Sequence, residues 1–239
     1  IRDLVRSRGL GDVYKRQAFA GVSVSLISYM IGVYLKKKLN VGLFNPLLIS
    51  IAVTIIFLVL AHIDYDAYNE GARYLSWLLT PATVCLAIPL YEEFELLKSN
   101  VRAVMCGIIS GVLTSLITIL VLAMFFGLTH EEYVTLLPKS ITTAIGMGVS
   151  EELGGYVTIT VAVIIITGVI GNILAEFICK IFRIEEPIAK GIAIGSAAHA
   201  IGTAKAMEIG EVEGAMSSLS IAVSGILTVV GASIFAHFM

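Results

Sequence analysis

Leu137-Pro138-Lys139-Ser140-Ile141-Thr142-Thr143-Ala144-Ile145-Gly146-Met147-Gly148-Val149-Ser150-Glu151-Glu152-Leu153-Gly154-Gly155 interrupts a chain otherwise built of long apolar runs. It carries a proline, a lysine, four hydroxyls, two glutamates and four glycines. Its uncharged part, Ser140 to Ser150, is too short to cross a bilayer, which takes about 20 helical residues. Polar, helix-breaking backbone survives at membrane depth only where protein surrounds it or where it lines a wet cavity. The stretch therefore reads as the working part of a membrane protein.

The rest of the chain agrees. Of 239 residues, 57% are hydrophobic and 14% charged, against roughly 25% charged in soluble domains. The mean hydropathy is +0.93. A net charge of −2 points away from a nucleic-acid partner. Cys85, Cys106 and Cys179 lie in or beside apolar runs without the clustered spacing of a disulfide framework or metal site, and read as packing residues.

Five uncharged runs are long enough to span: Ala18–Leu35, Leu43–Ala61, Ala103–Thr129, Leu153–Ala175 and Gly214–Met239. Two more segments are of spanning length but interrupted: Tyr74–Tyr91 by Pro81 and Pro89, and Gly191–Gly210 by four glycines, His199, Lys205 and Glu208. The expected fold is an all-α polytopic bundle of about seven to eight segments with interrupted or re-entrant helices. An internal two-fold repeat at an offset of about 117 residues would place Pro81–Leu97 on Ala198–Gly214, on hydropathy order alone. Gly107 and Gly111, and Gly168 and Gly171, are small residues that let helices approach closely in lipid.

Lys/Arg placement in short loops orients the bundle. Lys36-Lys37-Lys38, Lys98 and Arg102 fall on the cytoplasmic side, and Thr129-His130-Glu131-Glu132 outside. If 138–155 crossed fully, Lys180, Arg183 and Lys190 would land outside. If it enters and leaves on one side, they return to the cytoplasm, so the charge pattern favours a re-entrant hairpin. Ile1 to Gln17, with five Lys/Arg and two Asp, stand apart from this pattern. They look like translated library-adapter sequence, so residues 1–17 are expected to be a non-native tail with the native start missing, and 18–239 a single transmembrane domain.

Three constellations are candidates for chemistry. Pro138, Lys139, Ser140, Thr142 and Thr143 suit a helix N-terminus, where free N–H groups and the dipole favour anions. A snorkelling interfacial lysine with ordinary caps is the alternative. Gly195-Ser196-Ala197-Ala198-His199-Ala200-Ile201-Gly202-Thr203-Ala204-Lys205 is the second. Here His199 reads either as a proton relay or as a hydrogen-bonded structural residue, and Lys205 either faces substrate or pairs with Glu208. Pro81 and Pro89 form the third: they free carbonyls that can coordinate a cation or a hydroxyl, or they simply kink a helix. Gly146, Gly154, Gly155, Gly195 and Gly202 complete the expected breaks and close contacts. Glu151 and Glu152 read as a solvated turn, Glu176 as an i,i+4 partner of Lys180, and His62, Asp64 and Asp66 as a wet loop rather than a metal cluster.

Asn45-Pro46-Leu47-Leu48, Pro81-Ala82-Thr83-Val84 with Ala87-Ile88-Pro89-Leu90-Tyr91, Pro138-Lys139-Ser140-Ile141-Thr142-Thr143, His199-Ala200-Ile201-Gly202-Thr203-Ala204-Lys205 and Glu213-Gly214-Ala215 with Ser217-Ser218-Leu219 together resemble the LrgB/CidB family. The resemblance runs from about Asn45 to the C-terminus. The family usually has proline where this chain has Ala144, and serine where it has Ala198. The resemblance implies a bacterial inner-membrane, antiholin- or holin-like protein affecting murein hydrolase activity and autolysis. It also implies kinship with the plastid glycolate/glycerate translocator and with systems proposed to move pyruvate.

The residues favour transport: a secondary carrier of small monocarboxylates, with Lys139 on the carboxylate, Ser140, Thr142 and Thr143 on its oxygens, His199 steering a proton, and Thr203 and Lys205 in the same site. The competing reading is a holin/antiholin-like permeability regulator. An intramembrane hydrolase lacks both a paired-aspartate motif and a serine beside a base, so no enzyme, cofactor or metal is expected. Expected partners are a small organic acid with H+ or Na+, an LrgA/CidA-type small membrane protein, the lipid bilayer and further copies of the chain.

Overall fold

The computed structural model describes residues 2–39, 45–85 and 87–239, and the side chains of these apart from 2–19, 79, 80, 83, 89 and 90. The described residues are helical with short connections, in two compact units, Ile1–Thr83 and Val84–Met239. Pro89 lies in a helix but its side chain is outside the described residues, as are Leu43 and Phe44 at the head of the expected 43–61 run.

In the first unit α1 (Arg2–Leu39) packs on α2 (Pro46–Leu60) and α3 (Tyr65–Trp77). Glycines set those contacts: a Cβ on Gly21 would lie 2.6 Å from the backbone of Tyr68 and Ala72. Asn45 caps α2, its Oδ1 accepting from the Leu47 and Leu48 amides at 2.8 and 3.3 Å, with Pro46 at the first helical position. Such caps satisfy helix-end donors that lack intrahelical partners. The segment expected as one interrupted span is broken at Leu78, and Pro81 sits in the first turn of α4 (Leu79–Cys85), where its missing N–H costs little.

The second unit holds α5 (Ala87–Glu92), α6 (Phe94–Phe126), α7 (His130–Leu136), α8 (Thr143–Glu152), α9 (Val157–Ile181), α10 (Pro187–Ile209) and α11 (Glu211–Phe235), which ends in a 3-10 turn. Among the described residues three helices are long and apolar enough to cross a membrane: α6, α9 and α11 with its final turn. The expected span at 18–35 falls within α1, and that at 43–61 forms the 15-residue α2. Val104, Ile108, Val112, Leu116, Ile119 and Ala123 make one buried stripe along α6, against Tyr133, Leu137, Ile141, Met216 and Ala232.

Between α6 and α9, α7 and α8 form a hairpin that enters and leaves at one end of the unit. At its base the Tyr156 amide donates to Thr135 Oγ1 (2.7 Å), and Thr160 Oγ1 contacts Ser150 Oγ (2.7 Å) and the Thr135 carbonyl (2.9 Å). At its tip Ser140 Oγ lies 3.3 Å from Ser115 Oγ, well inside α6. Gly154, at φ +81°, turns the chain into α9.

α10 is a second hairpin rather than an interrupted span. Its backbone breaks at His199 (φ 42°, ψ −142°). A Cβ on Gly202 would lie 3.0 Å from Ile194 Cγ2 and 3.1 Å from the Ile194 carbonyl, whereas residues eight apart in a straight helix are separated by about 12 Å. The outgoing arm (187–198) and returning arm (200–209) therefore run back to back, and Gly191 and Met207 both meet the first turn of α11, at Glu213 and Gly214.

The two hairpins start from opposite ends. Gly107 meets Ile192 and Gly111 meets Ser196, so the base of the second hairpin lies with the start of α6. Tyr133 bonds the Phe235 carbonyl (3.0 Å), so the base of the first lies with the end of α11. The visible repetition is thus a long helix followed by a hairpin, 94–152 and then 157–209, in opposed directions. The expected offset of 117 residues instead pairs α4, α5 and the head of α6 with a hairpin tip and its returning arm, which are unlike structures.

Thr160→Val should leave the Thr135 carbonyl without its buried donor and the Ser150 hydroxyl without its partner, at about 1–3 kcal/mol. A lower midpoint of thermal unfolding in detergent checks this, with Thr160→Ser recovering most of the loss.

Candidate functional site

The two tips meet in the middle of the second unit. Ser196, on the outgoing arm of α10, sits at Gly111 of α6, and Ser140 of the first tip sits at Ser115, one turn on. On α9 they share Ile164. A Cβ on Gly146 would strike the Ile164 side chain, while the Ile164 carbonyl is 3.0 Å from His199 Nε2. A carbonyl oxygen only accepts, so Nε2 carries a proton and, in the neutral ring, Nδ1 keeps its lone pair. His199 is buried (3% exposed) against Gly168. Its positive φ is strained for a residue with a side chain, and the Ile164 bond and the Gly168 gap hold it there.

Both returning arms begin at the tips. α8 starts after Thr142, which has extended backbone and no side-chain cap bond. The returning arm of α10 starts after His199, whose carbonyl accepts from Thr203 Oγ1 at 3.0 Å. The first N–H groups of each arm, and the positive end of each dipole, are directed toward mid-bundle. Lys139 joins them, its Nζ donating to Ser140 Oγ at 2.8 Å. The chemistry assembled is cationic and rich in donors, suited to a small anion.

Of the residues singled out from sequence, Lys139, Ser140, Thr142 and Thr143 fall at the first tip and His199 and Thr203 at the second. Lys205 does not join them. It lies near the base of the second hairpin, its ammonium paired with Glu176 of α9 and with Glu208 at 3.3 Å. The i+3 pair is as expected, and Glu176, expected on Lys180, reaches across to the returning arm. Pro138, Gly146, Gly195 and Gly202 are buried at or beside the tips, where Gly195 abuts Ser217 of α11. Gly155 packs at the base, where a Cβ would lie 2.9 Å from Thr135 Oγ1, and Glu151 and Glu152 are exposed. Pro81 belongs to α4, and no role at the tips follows for it. Cys179 is buried and Cys85 and Cys106 exposed, all as free thiols. His62, Asp64 and Asp66 are exposed, and no metal-binding cluster occurs among the described residues.

Sequence reasoning missed Ser115 and Asn172, and named Ser217 only within a motif of the family resemblance. Asn172 Nδ2 donates to the Ile201 carbonyl (2.7 Å), and Ser217 Oγ bonds Thr203 Oγ1 (2.7 Å). The one available signal was Asn172, an amide inside the apolar run of α9. A groove of about 490 Å3 between α6 and the outgoing arm runs from Asn100 and Glu186 to Gly111 and Ser196; Lys139 lies outside its lining.

A model of the LrgB-like family matches residues 25–238. The chain belongs to the LrgB-like family. It is 38% identical over 222 residues to the "Antiholin-like protein LrgB" of Bacillus cereus strain B4264, covering 92% of this chain and 96% of that one. The protein of the same name from Bacillus anthracis strain A0248 matches equally. No solved structure matches the chain. The motifs that carry the LrgB likeness fall where the chain turns or packs most closely: the α2 cap, both hairpin tips, and the head of α11. Ala198 has its methyl wedged against Gly171 and Gly202.

Gly168→Ala would put a methyl 2.8 Å from His199 Cε1, forcing the ring off the Ile164 carbonyl at an overpacking cost of about 1–3 kcal/mol. The expected result is a lower unfolding midpoint in detergent, together with a change in the His199 imidazole resonances.

Proposed function

We propose that the chain is a secondary carrier of small monocarboxylates, of the glycolate, glycerate or pyruvate class, in the bacterial cytoplasmic membrane. The observation that carries this reading is the meeting of two hairpin tips, each opening a helix N-terminus toward the same mid-bundle point beside Lys139. Transporters place substrate at such points, with half-helix N-termini on the anionic group. In this reading Lys139 neutralises the carboxylate, Ser140, Thr142 and Thr143 donate to its oxygens, and His199 takes or gives a coupling proton at Nδ1. Because the hairpins rise from opposite ends, withdrawing one would open the point to one side and withdrawing the other to the opposite side.

Orientation follows from charge. Lys98, Arg102, Lys180, Arg183 and Lys190 all lie at the end of the unit where the second hairpin is based, and Glu131, Glu132, Glu151 and Glu152 lie at the other. The positive-inside rule makes the first end cytoplasmic. The carrier is not an enzyme and uses no cofactor; its coupling ion is H+ or Na+.

The name borne by the relatives supports a second reading: a holin/antiholin-like regulator of membrane permeability, acting with a small LrgA/CidA-type partner on murein hydrolase activity and autolysis. Moving metabolic acids across the membrane would connect the two.

Purified protein in proteoliposomes should take up labelled glycolate, glycerate or pyruvate with saturation, and more strongly with a pH or Na+ gradient. Lys139→Ala and Thr143→Ala should each lower uptake by about tenfold or more, the loss of a charge-assisted hydrogen bond being worth about 1.5–3 kcal/mol. Unchanged uptake in both variants removes the proposed site. Leakage of dye and ions without saturation favours the permeability reading.

A further inference from the structure

A second cavity lies away from the tips. Its volume is about 540 Å3, and it is framed by the end of α9, the turn into α10 and the end of the returning arm, with Glu176, Cys179, Lys180, Arg183, Ile184 and Lys190 in its walls. Glu176 leads from this cavity to Lys205, its ion-pair partner on the returning arm. Three cations (Lys180, Arg183 and Lys190) and two carboxylates (Glu176 and Glu185) line it.

The ion pair is lopsided. The Lys205 side chain is 20% exposed and that of Glu176 65%. Glu176 can swing into water at little cost, because an exposed carboxylate is solvated wherever it points. The Lys205 side chain, the less exposed of the two, keeps Glu208 at 3.3 Å and still gains from a second carboxylate beside it. An arriving carboxylate can therefore take the place of Glu176. One carboxylate replaces another, so the charge beside Lys205 is unchanged and no proton moves.

We propose that this cavity is a peripheral site for small carboxylates, in which the ligand displaces Glu176 from Lys205. The consequence for the hairpin follows from three ties along α9. His199 bonds the Ile164 carbonyl (3.0 Å), Asn172 bonds the Ile201 carbonyl (2.7 Å), and Glu176 pairs with Lys205. Residues 164, 172 and 176 share one face of α9 at multiples of four. Glu176 is the outermost tie, so its displacement loosens the returning arm from its base when a carboxylate arrives. The part played in transport rests on the carrier reading; the binding of anions in the cavity does not.

The test has two arms. With purified protein in nanodiscs, Ile184→Cys is made in a chain whose Cys85, Cys106 and Cys179 are replaced by alanine. A second chain keeps native Cys179 as its sole cysteine, in case the first does not fold. Each is reacted with an anionic and a cationic methanethiosulfonate, with rates normalised to a free small thiol. The anionic reagent should be favoured about fivefold or more by the local positive field. That preference should fall toward unity in Arg183→Gln/Lys190→Gln, and millimolar glycolate should slow the labelling. Equal normalised rates, absence of protection by glycolate, or inert thiols in both chains would overturn the site. In proteoliposomes, Glu176→Gln removes the internal competitor and should lower the KM for glycolate about threefold with kcat little changed, while Lys205→Gln raises it. A change in the same direction for both variants would mark a merely structural pair and overturn the exchange. If the unmodified protein takes up no carboxylate, the carrier reading fails, and the thiol rates still decide whether the cavity binds anions.

Discussion

Backbone amides and carbonyls inside a bilayer must find partners within the protein, because hydrocarbon offers none. A helix that ends inside a membrane bundle strains this requirement at its tip, and the second unit has two such ends. The arrangement holds because each tip is lodged among other helices. Ser140 lies on Ser115 of α6, His199 on the Ile164 carbonyl of α9, and Thr203 on Ser217 of α11. No buried side-chain nitrogen or oxygen among the described residues is left without a hydrogen-bond partner. The small residues of the sequence belong to the same requirement. Gly111, Gly168 and Gly171 stand opposite tip residues or their near neighbours, Gly195 lets the second hairpin meet Ser217 of α11, and lipid-embedded helices depend on such close approach for their attraction.

The hairpins are held by different chemistry. The base of the first is a knot of hydroxyl and backbone bonds among Thr135, Ser150, Tyr156 and Thr160, at 2.7 to 3.3 Å. The base of the second closes through the ion pair of Lys205 with Glu176, beside a wet cavity ringed with charge. Neutral hydrogen bonds shielded from water are indifferent to salt, while half-exposed ion pairs are screened by it. The second hairpin is thus the one whose attachment is open to screening by salt, and the first is fixed by bonds that salt does not reach.

Much of this was legible in the residues. A proline, a lysine and three hydroxyls between apolar runs announced the first tip, and the Lys/Arg pattern chose a hairpin over a crossing there. His199 and its flanking glycines announced the second interruption. The fold-back at His199 was not legible, because 187–198 and 200–209 both read as good helix, and a histidine between them looks like a kink in one span. What decides it is Ile194 against Gly202, a contact that no periodicity carries. Lys205 was misplaced for the same reason: in a single span it would lie near the tip, whereas a hairpin carries it back to the base. Ser115 and Ser217 gave little warning, since serine in a membrane helix is ordinary packing until something is found opposite it.

The opposed hairpins also constrain how the chain is made. Neither arm of the first hairpin is long enough to stay in a bilayer alone, and Thr160 and Ile164, against which it settles, are synthesised only after it. The second hairpin waits in the same way for Gly214 and Ser217 of α11. During biosynthesis each must remain sheltered at the translocation machinery or in the interfacial layer until the following long helix is threaded. A ribosome pause or truncation just after residue 152 or residue 209 would therefore leave a polar tip packed on one side only, and quality-control proteases would meet such fragments first.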